Sequence, residues 1–224
     1  MKILIVEDEV ELANDMEMFL TSEKYICEKA TTYNEALYKV LNYSYDCILL
    51  DLMLPGGDGM QILNFLKKEN RNDGVIIISA KNSLEDKIHG LKIGADDFLS
   101  KPFHQAELNA RVFSIIRRKQ FDSANVIQSG AVGVDLLSKS ASVNNERIIL
   151  TKKEFDLLVY FIGNKNKVIS KSALAEHLSG DFADMFDNFD FVYAHVKNLK
   201  KKLNISGNEC QLKTIYGTGY KWEE

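Results

Sequence analysis

The chain reads as two units of mixed α/β character: a first half built on a parallel sheet with helices on both faces, and a second half of short antiparallel strands and three helices. Three observations predict this. Near-continuous apolar runs alternate with helical spacing five times over residues 1–118, the pattern of a buried parallel sheet covered on both sides. The three strongest runs end abruptly on polar groups, Glu7-Asp8, Asp51 and Ser79, and parallel strands bring such ends to one sheet edge. Beyond residue 126 the pattern changes to short alternating stretches separated by turn signals.

Length and composition set the bounds. A chain of 224 residues is long enough for two domains, each with its own core. The net charge of −4 is uneven: residues 1–120 carry 15 Lys+Arg against 19 Asp+Glu, and residues 121–224 carry 13 of each. The second half is therefore not globally basic, and net charge alone argues for no nucleic-acid partner. The start, Met1-Lys2-Ile3-Leu4-Ile5-Val6-Glu7-Asp8, meets acid too early for a signal peptide, and no run approaches a membrane span. A cytoplasmic protein with no membrane partner is expected. Cys27, Cys47 and Cys210 lack metal-ligand spacing and read as buried reduced thiols.

Taken in order, Lys2–Val6 is a strand, and Leu12, Met16, Phe19 and Leu20 mark the helix after it. Tyr25–Lys29 reads as an edge-like strand, with Ala36, Leu37, Val40 and Leu41 in the next helix. Asp46–Leu50 is a buried strand, and Asp51 follows directly at its C-terminal end. Pro55 and its glycines fix a tight loop before a helix carrying Ile62, Leu63, Phe65 and Leu66. Val75–Ser79 is the next strand, Ile88 and Leu91 belong to a fourth helix, and Asp97–Ser100 is the fifth strand. Leu108, Val112, Ile115 and Ile116 stripe a last helix ending at Arg117-Arg118.

The converging groups have a specific chemistry. Clustered carboxylates repel unless a cation neutralises them, and Mg²⁺, a hard ion that keeps some waters, suits such a site. Lys101 supplies a fixed positive charge and Ser79 a hydroxyl. Together these describe phosphoryl transfer, in which positioning and charge neutralisation dominate, with Asp51 as nucleophile. Each residue alone has a plain structural explanation: Asp8 as a helix cap, Lys101 as a surface lysine, Ser79 as a loop hydroxyl. Their joint placement, with Pro55 and Pro102, the chain's two prolines, in the same loops, argues against coincidence.

The motifs Ile5-Val6-Glu7-Asp8-Glu9, Leu49-Leu50-Asp51-Leu52-Met53-Leu54-Pro55, Ile78-Ser79-Ala80-Lys81 and Gly94-Ala95-Asp96-Asp97-Phe98-Leu99-Ser100-Lys101-Pro102-Phe103 resemble those of bacterial response-regulator receiver domains. The resemblance covers residues 1–118 and implies a flavodoxin-like (βα)5 fold. It implies Asp51 as the phosphorylation site, and Glu7, Asp8, Asp51 and the Met53 carbonyl around Mg²⁺. Ser79 and Lys101 would hold the phosphoryl oxygens, Phe98 would be the switch aromatic, and the Lys101-Pro102 bond would be cis. Many relatives carry Thr at the Ser79 position and Tyr at the Phe98 position. The family's dimer face would fall on Lys87, Ile88, Leu91, Asp96, Asp97, Glu107, Ala110, Arg111 and Arg118.

The stretch 120–126 is polar and reads as a linker between a receiver at 1–119 and a second domain at 127–224. Val132-Gly133-Val134, Ser140–Val143 and Arg147–Leu150 suggest a small antiparallel sheet with a turn at Asn144-Asn145. Thr151-Lys152-Lys153-Glu154 is a capping box opening a helix through Phe155, Leu158, Val159 and Ile162. Val168-Ile169-Ser170 leads to a short helix with Ser170 as N-cap, and 181–188 is an acidic, aromatic-bearing loop. Phe189–Leu203 is a third helix with Val192, Val196, Leu199 and Leu203 inward, and residues 212–222 form a hairpin.

Lysines on one helix face are commonly just solvated, but Leu150–Leu158, His195–Leu203 and Thr214–Tyr220 resemble the winged-helix DNA-binding domain of OmpR/PhoB-type regulators. That resemblance implies an α+β winged helix-turn-helix fold, with the 189–203 helix in the major groove of double-stranded DNA. Tyr193, His195, Lys197, Asn198, Lys200, Lys201 and Tyr216 would face the DNA, with Tyr216 where relatives have a wing arginine. The expected protein is a transcription regulator activated by a sensor histidine kinase. It would bind promoter repeats as a phosphorylation-dependent homodimer, and RNA polymerase is a further partner the resemblance admits. Two rivals are an Asp-nucleophile phosphatase, disfavoured by Met53 where such enzymes carry a second acid, and a scaffold that is never phosphorylated.

Overall fold

The computed structural model describes residues 1–80, 84–121, 124–179, 189–204 and 211–223. The chain divides into two compact units, Met1–Lys119 and Gln120–Glu224.

The first unit runs β1 (Lys2–Val6), α1 (Val10–Ser22), β2 (Ile26–Ala30), α2 (Tyr33–Asn42), β3 (Cys47–Asp51), β4 (Met53–Leu54), β5 (Gly57–Asp58), α3 (Gly59–Lys68), β6 (Gly74–Ser79), α4 (Leu84–Ile93), β7 (Asp97–Ser100) and α5 (Gln105–Phe121). The main sheet is five-stranded in the order β2-β1-β3-β6-β7. Every pair in it is parallel. Alternate strand residues feed two cores, as the two-residue period of a strand requires. Leu4, Val6, Ile48, Leu50, Val75 and Ile77 meet α2 and α3 through Ala36, Val40, Ile62, Leu63 and Leu66. Ile3, Ile5, Cys47, Leu49, Ile76 and Ile78 meet α1 and α5 through Met16, Leu20, Leu108, Val112 and Ile116. These side chains are almost wholly buried, each contributing about 1.5–3 kcal/mol, so Ile5→Ala would cost about 2–5 kcal/mol.

Side-chain caps start the helices beside the sheet. Thr32 accepts a hydrogen bond from the Glu35 amide at the head of α2, and Asp58 accepts one from the Met60 amide at the head of α3. Four details differ from the sequence reading. Asp51 is the last residue of β3, paired with Ile78, rather than the residue after the strand. The loop beyond it is a small antiparallel hairpin, Met53 with Asp58 and Leu54 with Gly57. α5 continues to Phe121, which is buried, so the stretch read as a linker holds the helix's last residues. Finally, Cys27 is half-buried, while Cys47 is buried and its thiol pKa is pushed well up by desolvation. Cys210 and Lys81 lie outside the described residues.

The second unit runs β8 (Val126–Ser129), β9 (Val132–Asp135), β10 (Ser140–Val143), β11 (Glu146–Ile148), α6 (Lys152–Gly163), β12 (Val168–Ser170), α7 (Lys171–Ser179), α8 (Asp190–Leu203), β13 (Leu212–Ile215) and β14 (Gly219–Trp222). A four-stranded sheet, β11-β10-β9-β8, precedes the helices, and a three-stranded sheet, β12-β14-β13, closes the unit. Two strands exceed the sequence reading. β8 begins inside the expected linker, and β12 joins the terminal hairpin across β14. The capping box is complete: Thr151 accepts from the Glu154 amide, and the Glu154 carboxylate accepts from the Thr151 amide. Ser170 Oγ accepts from the Ala173 amide at the head of α7. α8 begins at Asp190, with Phe189 as its N-cap residue, and the acidic loop at 181–188 lies outside the described residues.

Candidate functional site

The acidic cluster sits where β1, β3 and β7 end. Carboxylate oxygens of Glu7, Asp8 and Asp51 lie within 4.8 Å of one another. Glu7 and Asp51 are buried while Asp8 is exposed, so the cluster opens to solvent on the Asp8 side. Lys101 arrives from the far side of the sheet. Its Nζ donates to Asp51 Oδ2 at 2.6 Å and to Glu7 Oε1 at 2.7 Å. The other Asp51 oxygen accepts the Met53 amide at 2.9 Å, which fixes the carboxylate plane. The Lys101 amide donates to the Ser79 carbonyl at 3.0 Å, which seats the lysine beside the end of β6. Ser79 itself is fully buried, and the Lys101-Pro102 bond is cis.

Burial raises the Glu7 pKa, and hydrogen bonding and attraction to Lys101 offset only part of that. For Lys101, burial opposes the charged form, but the bonds to Asp51 and Glu7 outweigh it, and its pKa is raised. Among the described residues, three carboxylates face a single ammonium at this edge. Both Glu7 carboxylate oxygens lie 2.7 Å from the Lys101 ammonium, which therefore serves Glu7 and Asp51 together. A hard divalent cation fits that donor set: oxygen ligands only, surplus negative charge and an open side for waters.

Phe98 lies in β7, partly buried against the core shared with α2 and α3, with Lys87 Nζ 5.7 Å from its ring centre. On α4, Ile88 and Leu91 are 42% and 47% exposed, and Leu84, which the sequence reading missed, is 67% exposed. The spacing 84, 88, 91 is one helical stripe and carried that signal. The predicted charges near it are already engaged within the unit. Arg111 binds Asp97 and Glu107, each at 2.7 Å. Asp96 accepts the Val75 amide at 2.9 Å and meets Lys119 at 3.2 Å. Ala110 and Arg118 are exposed on α5.

On α8, Val192, Val196, Leu199 and Leu203 are buried, leaving Tyr193, Lys197, Asn198 and Lys201 exposed and His195 half-buried. Burial, and then nearby Lys153, hold the His195 pKa below its usual value. The lysine run is not uniform. Lys200 Nζ donates to Thr214 Oγ1 at 2.7 Å and stands 5.7 Å over the Tyr220 ring, tying α8 to the hairpin. Lys202 pairs with buried Glu154 at 2.7 Å. Periodicity could not reveal either partner, because both come from distant segments. Tyr216, at the hairpin tip, is 94% exposed.

A doubly covered parallel sheet with acids and a lysine at its C-terminal edge, followed by a winged-helix unit, defines the OmpR/PhoB-type response regulators, and the chain belongs to that family. Residues 3–113 match the response regulator receiver domain, and residues 145–222 match the C-terminal domain of transcriptional regulatory proteins. The cell cycle response regulator CtrA of Brucella ovis is 33% identical, over 100% of this chain and 96% of its own. The receiver domain of Francisella response regulator 1452 is 38% identical, with a TM-score of 0.51 over 52% of this chain and 97% of that one. A CheY-like receiver protein from Methanospirillum hungatei is 27% identical, with a TM-score of 0.52 over 54% of this chain and 97% of that one. The protein is a transcription regulator of a two-component system and not a turnover enzyme. Among the described residues no helix is long and apolar enough to cross a membrane.

Proposed function

We propose that Asp51 accepts a phosphoryl group from a sensor histidine kinase and that the resulting acyl phosphate controls DNA binding by the second unit. The observation that carries this reading is Asp51 itself, a buried carboxylate within 4.8 Å of Glu7 and Asp8 and held at 2.6 Å by Lys101. In the transfer, the bond from phosphorus to the donor histidine nitrogen breaks as a bond to the Asp51 carboxylate forms. Glu7, Asp8, Asp51 and the Met53 carbonyl would hold Mg²⁺, which when bound neutralises charge on the phosphoryl oxygens. Lys101 is already charged and oriented, so it can move its hydrogen bonds from Asp51 to the new oxygens without reorganising the edge. Ser79 offers a hydroxyl to the same group, and Phe98 is the aromatic that would report the change to α4 and α5.

The signal then runs to a homodimer formed across α4, β7 and α5. Leu84, Ile88 and Leu91 supply the apolar area, while Lys87, Asp96, Asp97, Glu107, Arg111 and Arg118 set register around Ala110. Two winged helices brought together would bind paired promoter sites through Tyr193, His195, Lys197, Asn198, Lys200, Lys201 and Tyr216, in the cytoplasm and with RNA polymerase as a downstream partner. Acetyl phosphate carrying labelled phosphorus tests the first step. The wild type should be labelled only with Mg²⁺ present, and Asp51→Asn should stay unlabelled. Equal labelling of the two would remove Asp51 as acceptor.

A further inference from the structure

Gly57 lies in the hairpin beside Asp51, and its φ lies outside the left-handed region, so the backbone there admits any residue. What excludes a side chain is the ring of Tyr33. A Cβ at position 57 would stand 2.5–2.9 Å from three of its ring carbons, well inside van der Waals contact. Tyr33 opens α2, is partly buried against the core on that face, and donates its amide to the Pro55 carbonyl at 3.0 Å. One residue thus grips the hairpin twice, by backbone at Pro55 and by ring at Gly57. The other end of the hairpin is pinned by Asp51 itself, since a Cβ on Gly59 would fall 2.1 Å from the Asp51 carbonyl oxygen. Between the two pins lies Met53, whose amide holds Asp51 Oδ1.

We infer that Tyr33 is a positioning residue for the acidic site. It presses the β4–β5 hairpin into place and so sets where the Met53 backbone meets Asp51 and a bound divalent cation. The inference rests on the metal-assisted phosphoacceptor reading above. A plain packing role would cost stability without touching cation affinity. The positioning role moves the affinity, because residues that orient a ligand set typically change it by about 10–100-fold when removed.

The experiment is a magnesium titration of the full-length chain, read from the amide resonances of Met53, Leu54 and Gly57. Tyr33→Ala should weaken Mg²⁺ binding by about tenfold, while Tyr33→Phe, which keeps the ring, should bind as the wild type does. Gly57→Ala forces the ring away and should reproduce the loss, yet add nothing further in the Tyr33→Ala background. Tyr33→Leu fills the α2 side of the core without a flat ring over Gly57, and repeats the test in a chain whose packing is kept. Wild-type affinity in Tyr33→Ala and Tyr33→Leu would overturn the inference, as would losses from Tyr33→Ala and Gly57→Ala that simply add. If the wild type itself shows no Mg²⁺-dependent shift at these amides, the metal reading falls and takes the inference with it.

Discussion

Replacing Lys101 by methionine keeps an unbranched apolar stem and removes only the ammonium. In the wild type that ammonium lies 2.6 Å from Asp51 and 2.7 Å from Glu7, whose side chains are 4% and 1% exposed. Without it, two buried carboxylates face each other and exposed Asp8 with no cation, and removing one partner of a buried ion pair costs about 3–5 kcal/mol. The open Asp8 side favours the lower end, so at pH 7 without divalent ions Lys101→Met should lose about 3 kcal/mol. The loss should shrink on acidification. The Glu7 pKa is already raised by burial, and without Lys101 its carboxyl protonates still more readily. It should also shrink with Mg²⁺, because the variant lacks the competing ammonium and binds the ion more tightly: at ten times the variant's dissociation constant and well below the wild type's, a bound ion returns about 1.4 kcal/mol. The wild-type lysine contribution has the opposite pH sense. It is fully present below the unfolded lysine pKa of about 10.4 and is lost as pH rises through the raised folded value. Urea titration by circular dichroism measures the difference, and fluorescence of the chain's one tryptophan, Trp222, separately tracks the second unit. A Lys101→Met chain as stable as wild type at pH 7 without Mg²⁺, or a loss unchanged by Mg²⁺ and by acid, would refute the charge-balance reasoning.

Other consequences are measurable on the same protein. Burial raises the Glu154 pKa, but hydrogen bonds from Lys202 and Thr151 outweigh it and hold the carboxyl below its usual range. The stability it contributes is present above about pH 4.3 and fades as pH falls through the depressed value; Glu154→Gln should erase that acid-side slope in Trp222 fluorescence unfolding. Lys201 is exposed whereas Lys202 is paired. Lys201→Ala should therefore flatten the salt dependence of DNA binding by about 0.9 in logarithmic slope for one phosphate contact. Lys202→Ala should instead lower unfolding stability and leave that slope unchanged. Leu91→Asp places a charge on the exposed α4 stripe, and beryllofluoride should then fail to dimerise the chain in sedimentation, while the wild type dimerises.

The main sheet was readable because its strands are buried on both faces, so Cys47–Leu50 and Val75–Ile78 stand out as unbroken apolar runs. Glu7 and Asp51 were readable for the same reason, since each marks the point where such a run stops; Lys101, after the mixed strand Asp97–Ser100, was picked out by its motif with Pro102 instead. The hairpin at Met53–Asp58 was not, because two-residue strands have no period to detect. Strand β8 was missed because Val126–Ser129 is short, largely exposed and polar in its second half. The fates of Lys200 and Lys202 also stayed hidden: equal spacing on a helix says nothing of Thr214 and Glu154, which arrive from 14 and 48 residues away. Asp96, which the resemblance places on the family's dimer face, also accepts the Val75 amide and meets Lys119, contacts that no sequence pattern displays.

The Trp222 indole is fully buried and donates to Ser129 Oγ at 2.8 Å, joining β14 to β8 across 93 residues. The Trp222 carbonyl also accepts the Asn166 amide at 2.8 Å. The second unit is thus stitched shut by the strand that leaves the ribosome after all its others. At about 5–20 residues per second of synthesis, Ser129 waits roughly 5–20 seconds for its partner. From the synthesis of β12 until that of β14, β12 has an open edge where β14 will lie, and the core lacks its largest side chain. The receiver, whose five sheet strands precede residue 101, can be complete long before. The order of synthesis thus lets the first unit close while the second still lacks the strand that completes it.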